Sequence, residues 1–157
     1  MERVNYILNS PKYKSYLSQI EACEVDRIYC RHDLKHFLDV ARIAYIMVLE
    51  EKIQISKEVV YATAILHDIG RFKQYEDGTP HNEASYGIAK VLLKEANFND
   101  EESYMVLNAI LNHRNHKENG FDYIFYKSDK LSRDCYECKA TLTCNWEEGK
   151  RNYNITY

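Results

Sequence analysis

Glycine and proline are scarce, at 5 and 2 in 157 residues, and a single tryptophan stands beside 14 tyrosines. With so few chain breakers and apolar residues recurring at three and four, the chain reads as mostly helical, and no strand pattern is convincing. No apolar run approaches the ~18 residues that span a bilayer. The opening "MERVNYILNSPKY" lacks the charged-then-apolar layout of a secretion signal, so a cytoplasmic protein with no membrane partner is expected. Charge of one sign is also missing. The formal net charge is −3 and acids and bases interleave, without the basic footprint of a protein that binds duplex nucleic acid. The five cysteines are an odd number in a chain without an export signal, which favours reduced thiols or metal ligands over a disulfide framework.

What is present suits one globular domain over residues 1–157. Such a chain buries about two thirds of its unfolded surface. Its 45% apolar and 29% charged residues are ordinary for a soluble fold. A first helix is expected after Ser10, with Pro11 in its first turn. A second spans about 32–50, with Leu34, Phe37, Leu38, Ala41, Ala44, Tyr45 and Val48 facing inward. A third starts after Ser56 as N-cap and stops near Gly70. Helices are also expected over about 81–96 and 99–114, and in "FDYIFYKSDKLSR". "RFKQYEDGTP" reads as a loop, and the pattern decays after Cys135.

Six histidines stand at 32, 36, 67, 81, 113 and 116. A single histidine on an apolar helix is more often a hydrogen-bonded core residue than a ligand. His67 is different because Asp68 follows it at the end of the apolar stretch "VVYATAILHDIGRF", and a buried carboxylate without a positive partner costs several kcal/mol. A metal ion removes that cost. Imidazole and carboxylate suit Zn, Mn and Fe, and adjacent helical residues reach one ion only where the helix is ending.

The order His36, His67-Asp68, His81, His113, Asp129 resembles the HD-domain superfamily of metal-dependent phosphohydrolases. The resemblance rests on "HFLDVARIA", "LHDIGRF", "PHNEASYGIAKVLL", "AILNHR" and "SDKLSR", and covers about 30–133. It implies an all-α, HD-type multi-helix domain with a short irregular cysteine-containing tail over 134–157. By it, His36, His67, Asp68 and Asp129 hold a first divalent transition metal (Mn, Fe, Zn, Co or Ni). His81 and His113 match a second site that Asp68 bridges, although His113-Arg114 stands where some of these families have a His-His pair. The implied reaction is attack of metal-activated water on a small phosphorylated substrate, a nucleotide or related phosphoester. A non-catalytic nucleotide-binding or regulatory module with a structural metal site, or a di-iron oxygenase, is the alternative.

Arg71, Arg114, Lys130 and Arg133 lie within a few residues of these ligands and are candidate phosphate contacts, each weighed against a solvated surface charge. Tyr75 is either a pocket residue or loop packing. His116 reads as a surface residue and His32 as a capping or packing residue. "CYECKATLTC" gives C-x2-C-x5-C, a half-site for structural zinc in which Cys135, Cys138 and Cys144 need a fourth ligand from Cys30, His32 or Cys23. Reduced thiols packed under the tail are the alternative, and an iron–sulfur cluster is allowed by count but not supported by spacing.

Overall fold

The computed structural model describes residues 1–117 and 119–157, and among them it is all-helical. The helices are α1 (Glu2–Asn9), α2 (Pro11–Cys23), α3 (Leu34–Glu50), α4 (Lys57–Leu66), α5 (Arg71–Glu76), α6 (His81–Glu95), α7 (Asp100–Asn112) and α8 (Gly120–Leu131), followed by three short 3-10 turns. No helix is long and apolar enough to cross a membrane among the described residues.

The helix starts follow local chemistry. The Ser10 side chain accepts from the Tyr13 amide, Ser56 from Val59 and Asp33 from His36, so each hydroxyl or carboxylate satisfies an amide that the first turn leaves free. Asn99 and Glu102 form a reciprocal capping box at the start of α7. Two expectations need correction. Residues 71–76 of the expected loop form α5, anchored by buried Phe72, which stacks on Tyr16 at 5.7 Å. An eight-residue α1 also precedes Ser10, with Val4 and Ile7 buried.

α4 lies at the centre. Val59, Ala62, Ile65 and Leu66 face one apolar cluster with α1, α2, α6 and α7, while Val60 and Ala64 face a second cluster built from α3 and α8. A helix apolar on every side must be enclosed, and the small residues Ala62, Thr63 and Ala64 let its neighbours approach. On α3, Phe37, Ala41, Ala44 and Val48 are buried as expected, together with Val40, Ile43 and Met47, whereas Leu34, Leu38 and Tyr45 are half-buried. At the opposite edge Arg3 reaches two helix starts, pairing with Glu58 at 2.7 Å and Glu102 at 2.6 Å.

Gly70 is needed for space. Its φ is −89°, which any residue adopts, but a Cβ there would sit 2.4 Å from the Ser85 nitrogen and 2.6 Å from the Ala84 carbonyl carbon. Its own amide donates to Ser85 Oγ at 2.9 Å. The turn after α4 therefore packs directly onto the backbone of α6.

Candidate metal centre

The histidines and carboxylates meet at helix ends. His36 stands in the first turn of α3, His67 caps the C-terminus of α4, His81 opens α6 and His113 caps α7. Asp129 lies in the last turn of α8. Because α4 stops at Leu66, Asp68 is released from helical spacing and faces the same centre as His67.

Two groups of three ligand atoms form within 4.8 Å: His36, His67 and Asp129, and Asp68, His81 and His113. His36 Nε2 is 3.3 Å and His67 Nε2 3.9 Å from Asp129 Oδ1. Asp68 divides its oxygens. Oδ2 is 3.4 Å from His67 Nε2, while Oδ1 is 3.3 Å from His81 Nε2 and 3.8 Å from His113 Nε2. This is the placement that a carboxylate between two ions requires.

The far side of each ring determines which nitrogen points inward with a lone pair. His67 Nδ1–H donates to the Ala64 carbonyl at 2.7 Å and His113 Nδ1–H to the Ile110 carbonyl at 2.6 Å. His81 Nδ1 has two neighbours, Gln74 Oε1 at 2.6 Å and the Arg71 Nη1 donor at 3.2 Å. Ser132 Oγ donates to the Asp129 carbonyl at 2.9 Å, and so accepts from His36 Nδ1–H at 3.1 Å. In the neutral rings of His36, His67 and His113, Nε2 is then an acceptor directed at the centre. His81 Nε2 and His113 Nε2 stand 3.2 Å apart, close enough for one proton or one cation to lie between them. His36 Nε2, His67 Nε2 and Asp68 Oδ1 are buried with no hydrogen-bond partner. Orphaned buried acceptors of this kind are costly, and divalent cations held by the two groups would satisfy them.

The electrostatics agree. Burial, reinforced by nearby cationic groups, pushes His36 down to about 4, and burial brings His81 to about 3 and His113 to about 4, so these rings are neutral ligands at physiological pH. Burial would raise Asp68, but the imidazoles of His67 and His32 outweigh it and hold the carboxyl well below its usual range. Among the described residues, the ion-pair neighbours of Asp68 within 4.0 Å are imidazoles. Asp129 is likewise held low against burial, by Lys130 and Arg133.

The candidate phosphate contacts separate into two kinds. Lys130 pairs with Asp129, and Arg133 Nη2 meets the same carboxylate at 3.2 Å, so both position a ligand. Arg71 and Arg114 line the open cavity, Arg114 from an exposed position, and Arg71 Nε–H is buried without a partner. His116 is exposed at the cavity rim. Tyr75 is no wall of the cavity, because its hydroxyl donates to Glu24 Oε1 at 2.6 Å.

Two further residues adjoin the centre, His32, read from the sequence as a capping or packing residue, and Glu24, which the sequence did not single out. His32 is buried, donates through Nδ1–H to Glu24 Oε1 at 2.6 Å and brings Nε2 to 3.7 Å from Asp68 Oδ2. Glu24 is buried too, and its Oε2 accepts the His32 amide at 2.7 Å. The "RHDLKH" spacing puts His32 four residues before His36. That spacing was the available signal for His32, whereas Glu24 had none.

The centre opens into a cavity of about 640 Å³. Its walls carry Arg27, Arg71, Arg114, Lys150 and Arg151, with Tyr29, Tyr126 and Trp146 among the aromatic rings. The tail supplies one wall, through Trp146, Lys150 and Arg151.

Comparison with known proteins bears on the fold and the family. The chain is 48% identical, over its full 157 residues and the full length of the relative, to a protein from Clostridium beijerinckii described as uncharacterized. Its fold is similar to the crystal structure of a predicted HD superfamily hydrolase from an uncultured Thermotogales bacterium, with a TM-score of 0.63 at 22% identity, covering 98% of this chain and 88% of the other. The HD domain matches residues 33–141, a span that runs from the cap of α3 past Asp129, and the chain belongs to the HD domain family.

Proposed function

We propose that the protein is a metal-dependent phosphohydrolase acting on a nucleotide or a related small phosphoester. The observation that carries this reading is the set of orphaned acceptors, His36 Nε2, His67 Nε2 and Asp68 Oδ1, converging beneath a cavity walled by cationic side chains. His36, His67 and Asp129 would hold one divalent transition-metal ion and His81 and His113 a second, with Asp68 between them. Bound there, such ions supply a nucleophilic water at neutral pH and positive charge for phosphoryl oxygens.

The chain's own groups do the rest. Arg71 offers an unpaired Nε–H and Arg114 an exposed charge to non-reacting phosphoryl oxygens, where positive charge matters most as the transition state forms. Lys130 and Arg133 keep Asp129 ionised and oriented. Tyr29, Tyr126 and Trp146 provide faces on which a base can stack, and the cavity volume suits a mononucleotide-sized ligand.

The test is a phosphatase panel over mononucleotides, deoxynucleotides, dinucleoside polyphosphates and sugar phosphates with added Mn, Co, Ni, Fe or Zn, run beside Asp68→Asn. The expected result is turnover that depends on metal and is lost, with metal binding, in the variant. Stoichiometric nucleotide binding without turnover under every metal would replace the enzyme with a binding module.

A further inference from the structure

Residues 134–157 have almost no apolar core of their own. Cys135 is the buried residue of this segment, while Leu142 is 100% and Ile155 82% exposed. Yet the segment adopts three defined 3-10 turns and forms a wall of the cavity. A stretch that buries so little apolar area does not offset its ordering entropy by packing, and small elements of this kind are usually cross-linked.

The four cysteines at 30, 135, 138 and 144 all line that cavity, and the first three also line a smaller one on the other side. They carry free thiols, as does exposed Cys23, which lines neither cavity. Polar contacts beside these thiols join the tail to the Cys30 loop and brace each of the two internally. Tyr29 Oη donates to the Thr143 carbonyl at 3.1 Å, Arg151 Nη2 to the Cys144 carbonyl at 2.9 Å and Arg27 Nε to the Cys30 carbonyl at 2.8 Å. A second observation points to a ligand. Arg133, only 6% exposed, borders both cavities and leaves its Nε–H buried without a partner, a donor suited to an anionic sulfur centre.

We propose that Cys30, Cys135, Cys138 and Cys144 form a four-thiolate metal centre that staples the tail to the loop before α3, and that its occupant is an iron–sulfur cluster. Separation selects the occupant. A tetrahedral zinc ion with Zn–S bonds of 2.3 Å draws its sulfurs to about 3.8 Å from one another. Among the described residues, no three of these thiols come within 4.8 Å of one another. Four cysteines set wider around a cavity suit a cluster of iron and sulfide, which holds its thiolates farther apart than one ion does.

The experiment is purification of the full chain without oxygen, followed by iron, zinc and acid-labile sulfide per chain and the visible spectrum. Sulfide together with iron and a visible charge-transfer absorption is expected, retained in Asp68→Asn and Cys23→Ser and lost in Cys138→Ser and Cys144→Ser. Because those last variants can misfold, the unmodified protein is also titrated with a thiol reagent. One fast thiol is expected before the centre is stripped with acid and chelator and five afterwards. One zinc per chain without sulfide, lost in Cys138→Ser, overturns the cluster and keeps the staple. Five fast thiols in the untreated protein, with neither sulfide nor cysteine-dependent metal, overturn both.

Discussion

Replacing Gly70 by alanine tests whether the site depends on one close approach of backbone to backbone. The added methyl would lie 2.4 Å from Ser85 N and 2.7 Å from Ala84 Cβ. Relaxing these to an ordinary contact of about 3.5 Å moves the turn after α4 away from α6 by roughly 1 Å. Overpacking of this kind costs about 1–3 kcal/mol, which in a chain of this size lowers the melting temperature by roughly 2–4 °C per kcal/mol. The displacement falls between Asp68 and His81, whose ligand atoms are 3.3 Å apart. The second ion is therefore expected to weaken before the first, and turnover to fall on the order of a hundredfold. The assays are differential scanning fluorimetry of chelator-treated protein, metal stoichiometry by titration calorimetry and turnover. Gly87→Ala is the control, since that exposed position in α6 has nothing within 4 Å of a new Cβ and should gain about 0.5–1 kcal/mol. A Gly70→Ala protein as stable as the parent and loaded with two ions would refute the reasoning.

Ser132→Ala removes the acceptor that orients His36, so metal affinity should fall about 10- to 100-fold with the fold unchanged by circular dichroism. Unchanged affinity would show that the ring is held by packing alone. Arg71→Ala should raise KM for phosphorylated substrate while leaving metal stoichiometry intact, because the side chain lines the cavity and touches the ligand groups only at His81 Nδ1, 3.2 Å away and on the far side of that ring from the centre. Metal-free protein should lose stability between pH 6.5 and about 4. His36, His81 and His113 have pKa values depressed to about 4, 3 and 4, so over that range the unfolded chain binds protons that the folded chain refuses. Each contributes a loss of about 2 kcal/mol at pH 5 relative to neutral pH, opposed in part by His67, which burial would lower but the Asp68 and Asp129 carboxylates raise. Urea midpoints that stay flat from pH 7.5 to 5 would contradict this.

The fold was readable where chemistry is local. Ser10 and Ser56 marked helix starts, and the apolar faces of α3 and α4 were visible as periodicity. α1 went unread because Val4 and Ile7 alone do not make a period, and α5 because one phenylalanine stands among polar residues. The centre was readable as an ordered set of His and Asp, since the ligand types are rare enough in apolar helices to stand out. The groups that orient those ligands were not. Ala64 and Ile110 act through backbone carbonyls that any residue would supply, and Glu24 meets His32 only because a loop brings the end of α2 to the start of α3. Gly70 was read as a helix terminator needed for its backbone, whereas the fold requires it for the room that it leaves.

Arg3 never approaches the centre, yet the clamp that it forms has a mechanical consequence there. It joins Glu58 and Glu102, in the first turns of α4 and α7, and these two helices deliver His67 and His113 from their opposite ends. A helix of ten to thirteen residues acts as a lever some 15–20 Å long. The guanidinium is thus a pivot pin holding two levers in step, and a tilt of a few degrees at the pin becomes a displacement of about an ångström between the imidazoles at the tips. The first turn of the chain sets the gauge of a site that it does not touch.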